Sequence, residues 1–392
     1  MMARSKKKSN FKVALIGLVC LVLGCIAGFV GYTYLGLPET EQLIVTEAVY
    51  YSYNDDKEIS YTPISTADGT VSVHFLELGN KYTGDCTYIK VGEDIDILID
   101  CGSKSNSVST VSEYLNQYVT DNTLEYVIIT HAHQDHYAGF ATSTKVDSIF
   151  DLYECEVIID FARTNQKSTA TTYNNYLREL NDEIDNGAQH YTALQCWNEE
   201  VGAQREYVLD SENDISLEIL YNYYYENNAS SENDYSVCCM LNHGDRHFLF
   251  TGDLEERGEE YLVQYNDLPK ITVYKAGHHG SKTSSTDALL SVIQPEIVCV
   301  CCCAGSSEYT STSENQFPTQ QFIDNVARYT KYIYVTTLCL DYKNNQFTSF
   351  NGNIVIMSGE EVGVNCSNNN TILKESEWFS SSGRTWPEYG VV

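Results

Sequence analysis

The run His131-Ala132-His133-Gln134-Asp135-His136 places three imidazoles and a carboxylate within six residues, and no other stretch limits the chain's possible folds and chemistry as tightly. Before it stands Glu125-Tyr126-Val127-Ile128-Ile129-Thr130, apolar and β-branched, which predicts a buried strand ending where the histidines begin. Strand ends are where sites lie in α/β folds. In a still-extended backbone His131 and His133 point the same way and can share one cation, while Asp135 and His136, where the chain turns, can reach a second. A single loop histidine is usually just solvated. This cluster has the ligand types and spacing that borderline cations select.

Two later stretches have the same construction. Phe248-Leu249-Phe250-Thr251-Gly252-Asp253 is an apolar strand ending in a carboxylate, positioned to bridge two metals. Tyr274-Lys275-Ala276-Gly277-His278-His279-Gly280-Ser281-Lys282 sets two histidines between glycines, again after a strand. Alone, a Gly-Asp is usually a turn and a His pair a surface feature. In this order behind the first motif they predict one composite site. No G-x-S-x-G is present, and Gly280-Ser281-Lys282 lacks the surroundings of a serine-lysine hydrolase.

With 392 residues, 43% of them hydrophobic, the chain can bury a substantial core. Its formal net charge is −30. Arg4, Lys6, Lys7, Lys8 and Lys12 fall in the first twelve residues, so the remainder, with 19 of the 24 basic residues against all 54 acids, carries about −35. Such a body repels polyanions at long range and has no footprint for duplex nucleic acid.

Residues 1–10 read as a basic, cytoplasmic N-terminus, and 11–36, with one charge at Lys12, as a transmembrane anchor. A cleaved signal peptide lacks a small-x-small site here. A lipoprotein signal at Cys25 lacks a polar tether after it. Residues 37–70 read as a linker, 71–363 as the folded domain, and 364–392 as a polar, aromatic tail. Of the 14 cysteines, Cys238, Cys239, Cys299, Cys301, Cys302 and Cys303 lie in strand-like apolar runs and serve as small hydrophobes. Cys299 and Cys302 form a C-x-x-C inside such a run, which is neither a zinc finger nor a redox motif.

Strands are predicted at Val71–Phe75, 86–91, 94–100, 126–130 and 156–161, then at 215–221, 237–241, 248–251, 271–275, 297–303, 333–336 and 353–356. Helices are predicted through Val108, Val111, Tyr114, Leu115 and Tyr118, through Tyr173, Tyr176, Leu177, Leu180 and Ile184, from near Leu254, and over 320–329. Two β-rich halves, each flanked by helices, predict an αββα sandwich of the α/β (α+β) class.

The H-x-H-x-D-H loop after a strand, then Gly252-Asp253 and His278-His279-Gly280-Ser281, resembles the metallo-β-lactamase superfamily. With Gly84-Asp85, Asp100-Cys101-Gly102 and Asn233-Asp234-Tyr235-Ser236 it is most similar to the branch related to the DNA-uptake protein ComEC. The resemblance runs from about Val71 to Gly359. It implies two divalent cations, zinc or manganese, one on His131, His133 and Asp253 and the other on Asp135, His136, Asp253 and His278, with Asp85 and Asp100 as supports behind them, or else as plain loop caps. Two departures accompany it. Asn233 stands where other branches have a histidine, and an amide oxygen is a poorer zinc ligand, so the first position is weakened. Gln316-Phe317-Pro318 stands where the branch has Gly-His-Pro, so the leaving group needs another donor, for which His279, Lys275 and Lys282 are candidates. Asp135, His279 and Lys282 are thus the residues expected to carry catalysis.

Three functions follow. A membrane-anchored, extracytoplasmic metal-dependent hydrolase would cleave a phosphodiester, with single-stranded DNA as first substrate. The same site could act on a cell-envelope phosphoester or another small ester or lactam. A non-catalytic surface binding module with a degenerate metal site is the third.

Overall fold

In the computed structural model residues 49–50, 60–61, 67, 69–79, 84–102, 107–143, 146–167 and 169–391 are described. The expected basic N-terminus and anchor lie outside them, as does most of the linker. Among the described residues no helix is long and apolar enough to cross a membrane. In the expected linker, β1 (Val49–Tyr50) pairs antiparallel with β2 (Ser60–Tyr61).

Two eight-stranded sheets organise the rest. The first contains β3 (Val71–Phe75), β4 (Thr87–Val91), β5 (Ile95–Ile99), β6 (Thr123–Ile128), β7 (Glu154–Asp160) and β8 (Gln189–Thr192). The second contains β9 (Glu206–Asp210), β10 (Ile215–Ile219), β11 (Cys239–His243), β12 (Arg246–Phe250), β13 (Val273–Lys275), β14 (Ile297–Ala304), β15 (Ile333–Asp341) and β16 (Gln346–Ser349). The chain then returns to the first sheet as β17 (Ile354–Ser358) and β18 (Val362–Cys366), giving the orders β18-β17-β3-β4-β5-β6-β7-β8 and β16-β15-β14-β13-β12-β11-β10-β9. The boundary expected at 363 falls inside β18, and beyond it Leu373, Phe379 and Trp386 pack on the second sheet's outer core.

Pairing is parallel from β5 through β8 and from β12 through β15. Parallel neighbours need long crossovers, and these supply outer-layer helices such as Ser107–Leu115 and Thr171–Asn186 in one half and Asp287–Ile293 and Gln320–Val326 in the other. Thr171–Asn186 buries Tyr173, Tyr176 and Leu180 along one stripe. The period-two alternation of strands sorts the cores. In β14, Ile297, Cys299 and Cys301 join the cluster between the sheets, with Phe75 and Phe250, while Val298, Val300, Cys302 and Ala304 face the helices with Leu290 and Phe322. Cys299 and Cys302 therefore point to opposite faces and cannot pair. Each large side chain sealed in these layers is worth ~1.5–3 kcal/mol.

The parallel runs matter for the site because they aim several strand ends at one edge. The C-terminal ends of β5, β6, β12 and β13 meet there. The amide of Val237 donates to the carbonyl of Thr130 at 2.8 Å, stitching the sheets together beside it.

Candidate metal centre

The stretch after β6 turns directly into the helix Gln134–Tyr137, for which His133 is the N-cap in extended conformation. Backbone bonds pin this turn to the end of β5, from the Cys101 amide to the His136 carbonyl at 2.8 Å and from the Gly139 amide to the Cys101 carbonyl at 2.9 Å. Gly139 is required by packing, since a Cβ there would lie 2.3 Å from Cys101 Sγ. Gly84, at φ +59°, lets the Asp85 amide reach the Asp135 carbonyl at 3.0 Å. After β13 both His278 and His279 adopt left-handed backbone, with φ of 46° and 54°. Asp100 does too, at φ 59°. Such conformations cost ~1–3 kcal/mol each in non-glycine residues, and here they turn side chains onto a common point.

That point is Asp253 Oδ2. It lies 3.2 Å from His136 Nε2, 3.5 Å from His279 Nε2, and 3.9 Å from the Nε2 atoms of both His131 and His278. His133 reaches the group through His131, Nδ1 to Nε2 at 3.0 Å. Asp135 Oδ2 stands 3.5 Å from His279 Nε2. Asp85, His136, Asp253 and His279 present ligand atoms that all fall within 4.8 Å of one another, and all four are buried. Behind them Asp100 Oδ2 holds His136 Nδ1 at 2.8 Å, and both its oxygens also accept from Thr130 at 2.8 Å. This fixes which imidazole nitrogen faces inward.

These residues fit a cation. Asp253 Oδ1, His136 Nε2, His279 Nε2 and Asn233 Oδ1 are buried without a hydrogen-bond partner, a costly state for polar atoms unless something else binds them. The electrostatics of the cluster point the same way. Burial alone would neutralise each group, and His131 follows it, its pKa falling well below the imidazole range. For His136 burial is overcome by Asp253 and Asp100, which lift its pKa well above that range. His279 likewise resists burial and is pushed up to about 10, chiefly by Asp85 and Asp253. Against the same burial, Asp253 is held low by His136 and His279. The carboxylates thus raise the proton affinity of two imidazoles, and a cation would meet the same negative charge.

The candidates from the sequence divide as follows. His131, His136, Asp253 and His278 converge, and Asp135 reaches them on the open side, 19% exposed. Asp85, expected behind the ligands, stands among them, ion-paired to Lys275 Nζ and 3.2 Å from His279 Nδ1. His279 is not an open-side proton donor: it is 1% exposed, and its Nδ1 lies 3.1 Å from the Cys301 carbonyl, leaving Nε2 in a ligand position. Lys282 is not brought to the cluster. Two consecutive left-handed residues reverse the chain, and Lys282, now exposed, donates to Asn315 Oδ1 at 2.9 Å. Lys275 is sealed in its ion pair, 4% exposed. Asn233 donates its amide to Glu255 Oε1 at 3.0 Å, with Oδ1 left over.

Sequence reading missed Tyr309. Its hydroxyl donates to Asp135 Oδ2 at 2.9 Å, and its ring stacks on His279 at 5.6 Å and lies 5.1 Å from Phe317. Nothing local in Ser307-Glu308-Tyr309-Thr310 announces this.

The family model of the metallo-beta-lactamase superfamily matches residues 79–147 and 232–304, which contain every proposed ligand. Recombination protein 2 of Haemophilus influenzae is 36% identical over 70 residues, 18% of this chain and 9% of that protein. ComE operon protein 3 of Bacillus subtilis is 34% identical over 67 residues, 17% of this chain and 9% of that protein. The chain thus matches only about a tenth of the length of these relatives. Among solved structures, the metallo-beta-lactamase fold protein YhfI of Bacillus subtilis covers 73% of this chain and 99% of its own, at 10% identity and a TM-score of 0.40.

Proposed function

We propose, for a chain that matches the metallo-β-lactamase superfamily and resembles its ComEC-like branch, the metal-dependent hydrolysis of a phosphodiester. The observation that carries this reading is the convergence of His131, His136, His278 and His279 on one Asp253 oxygen, among buried polar atoms that lack partners. His131, His136, Asp253 and His279, with Asp135 and His278 at the open side, would hold divalent cations, which would supply an acidified water as nucleophile and positive charge for the oxygens of the scissile group. The chain's own residues do the rest. Asp100 and Thr130 hold His136 with its Nε2 inward. Asp85, Lys275 and the Cys301 carbonyl hold His279 in register with Asp253. The two sheets exclude water from behind the site, so its charges act at low dielectric.

Single-stranded nucleic acid is the first substrate class, by likeness to relatives one of which is named for recombination and the other for the ComE operon. An envelope phosphoester is the second, favoured by the net charge of −30, which a polyanionic strand has to approach. The membrane-anchored, outward-facing placement expected from residues 1–36 belongs to the proposal. Protease added to intact cells is expected to degrade the domain carrying His131, and protection until the membrane is breached overturns that orientation. For the activity, metal content of the purified full-length chain is measured together with hydrolysis of bis(p-nitrophenyl) phosphate. Metal with turnover, both lost on chelation, is expected. Bound metal without turnover on any diester overturns the phosphodiester reading and leaves another small ester or lactam as substrate, or a binding module.

A further inference from the structure

A phosphodiester with a poor leaving group needs a hydrogen-bond donor for the oxygen that departs, because negative charge develops there as its bond to phosphorus breaks. Among the described residues around the cluster, the expected donors are spent. His279 is 1% exposed, with Nδ1 at the Cys301 carbonyl and Nε2 turned into the ligand group, Lys275 is sealed against Asp85, and Lys282 is turned to Asn315. Phe317, over His279 at 6.0 Å, has no polar side-chain atom.

Tyr309 differs from all of these. It is 41% exposed, so its hydroxyl is reachable from solvent, yet its ring is fixed by stacking on His279 and packing on Phe317. The hydroxyl already sits 2.9 Å from Asp135 Oδ2, on the open side of the ligand group where a scissile phosphate has to enter. A phenol hydrogen rotates freely about its C–O bond and can be redirected from one acceptor to another.

We infer that Tyr309 is a further catalytic residue, whose hydroxyl donates a hydrogen bond to the departing oxygen of the phosphodiester. The inference rests on the phosphodiesterase reading above. Water adds to phosphorus and releases one proton to solvent, the bond to the departing oxygen breaks with its electron pair on that oxygen, and the oxygen then takes a proton from solvent. The phenol keeps its own proton throughout. Loss of one such preorganised donor costs ~10²–10³-fold in rate.

The test compares Tyr309→Phe with the wild-type full-length chain on two diesters, one with an alkoxide leaving group and one with p-nitrophenolate, whose charge is stabilised by its own ring. Expected is a ~10²-fold fall in kcat on the alkyl diester with little change on the aryl one. Metal content and unfolding midpoint should stay at wild-type values, since only one half-exposed hydroxyl is removed. Adding Phe317→His to Tyr309→Phe, which restores a donor beside the same ring stack, should recover part of the alkyl rate. Equal losses on both diesters, or loss of metal from Tyr309→Phe, overturn the inference, because the hydroxyl would then only position Asp135. If the wild type cleaves neither diester, the phosphodiesterase reading itself fails, and the inference with it.

Discussion

Asp135 and Asp85 flank the same cluster, but their surroundings predict different failures on substitution. Asp135 is 19% exposed and borders the open side, so Asp135→Ala removes a ligand without stranding a buried charge. The expected outcome is an unchanged unfolding midpoint with activity abolished and metal affinity lowered, by ~10–100-fold or more on the scale seen when a ligand's support is lost. Full turnover with metal retained would rule Asp135 out. Asp85→Asn leaves Lys275 buried and unpaired. Breaking a buried pair from one side costs ~3–5 kcal/mol, which should appear as a fall in the urea midpoint whether or not metal is present. An unchanged midpoint would mean that Lys275 finds another partner. The difference also marks what was legible at this scale. Local clusters such as His131 to His136 can be read because the ligands are chain neighbours. The Lys275 to Asp85 pair and the Tyr309 to Asp135 bond, 174 residues apart, exist only once the sheets are assembled. The burial of His279 was not legible for a related reason: spacing sets two histidines side by side, while the left-handed backbone decides how deep each one sits.

Glu259 shows how one element holds another in place. It sits in the helix Glu256–Tyr265, fully buried, and its carboxylate accepts from the amides of Ser285 and Thr286 and from the Thr286 hydroxyl, capping the start of the helix Asp287–Ile293. Burial outweighs these bonds and pushes its pKa up to about 7, with Glu256 adding in the same direction. The folded state thus binds this proton more tightly than the unfolded chain, whose carboxyl titrates near the ordinary 4.5. Stability should therefore fall as pH rises from about 4.5 to about 7, by at most ~1.4 kcal/mol per pH unit from this group, and be flat in it outside that window. Urea unfolding of wild type and Glu259→Gln across this range checks it, and an identical slope in both refutes the assignment. Among strands, legibility follows position in the sheet. Within the two large sheets the strands missed by pattern, β8, β9, β16 and β18, are the four edges. β16 is largely exposed, and β9 alternates a single buried Tyr207 with exposed neighbours. A strand with a neighbour on one side only has little reason to carry the apolar run that reveals β14, buried at all eight positions.

The αββα arrangement of the whole molecule was readable because two rounds of strand-then-helix periodicity can bury both faces of both sheets in few other ways. The tail beyond β18 was not, since its core contacts come in short pieces, Ile372-Leu373, Trp378-Phe379 and Trp386, too few to make a period. Charge is the property that belongs to no element, and it separates the two substrate classes. With −30 overall and the 19 basic residues outside the first twelve outnumbered nearly threefold by 54 acids, the folded body repels a strand of phosphates before any contact forms. Salt shortens the reach of that repulsion from ~30 Å at 0.01 M to ~8 Å at physiological ionic strength. For a single-stranded oligonucleotide, kcat/KM should therefore rise with added monovalent salt, the opposite of the behaviour of a protein that binds nucleic acid through a basic groove. A small monoanionic diester, which meets the same site with one charge, should show a much weaker dependence. If the oligonucleotide rate instead falls steeply with salt, a basic surface outside the described residues is steering the strand, and the net charge of the body does not govern which substrate reaches Asp253.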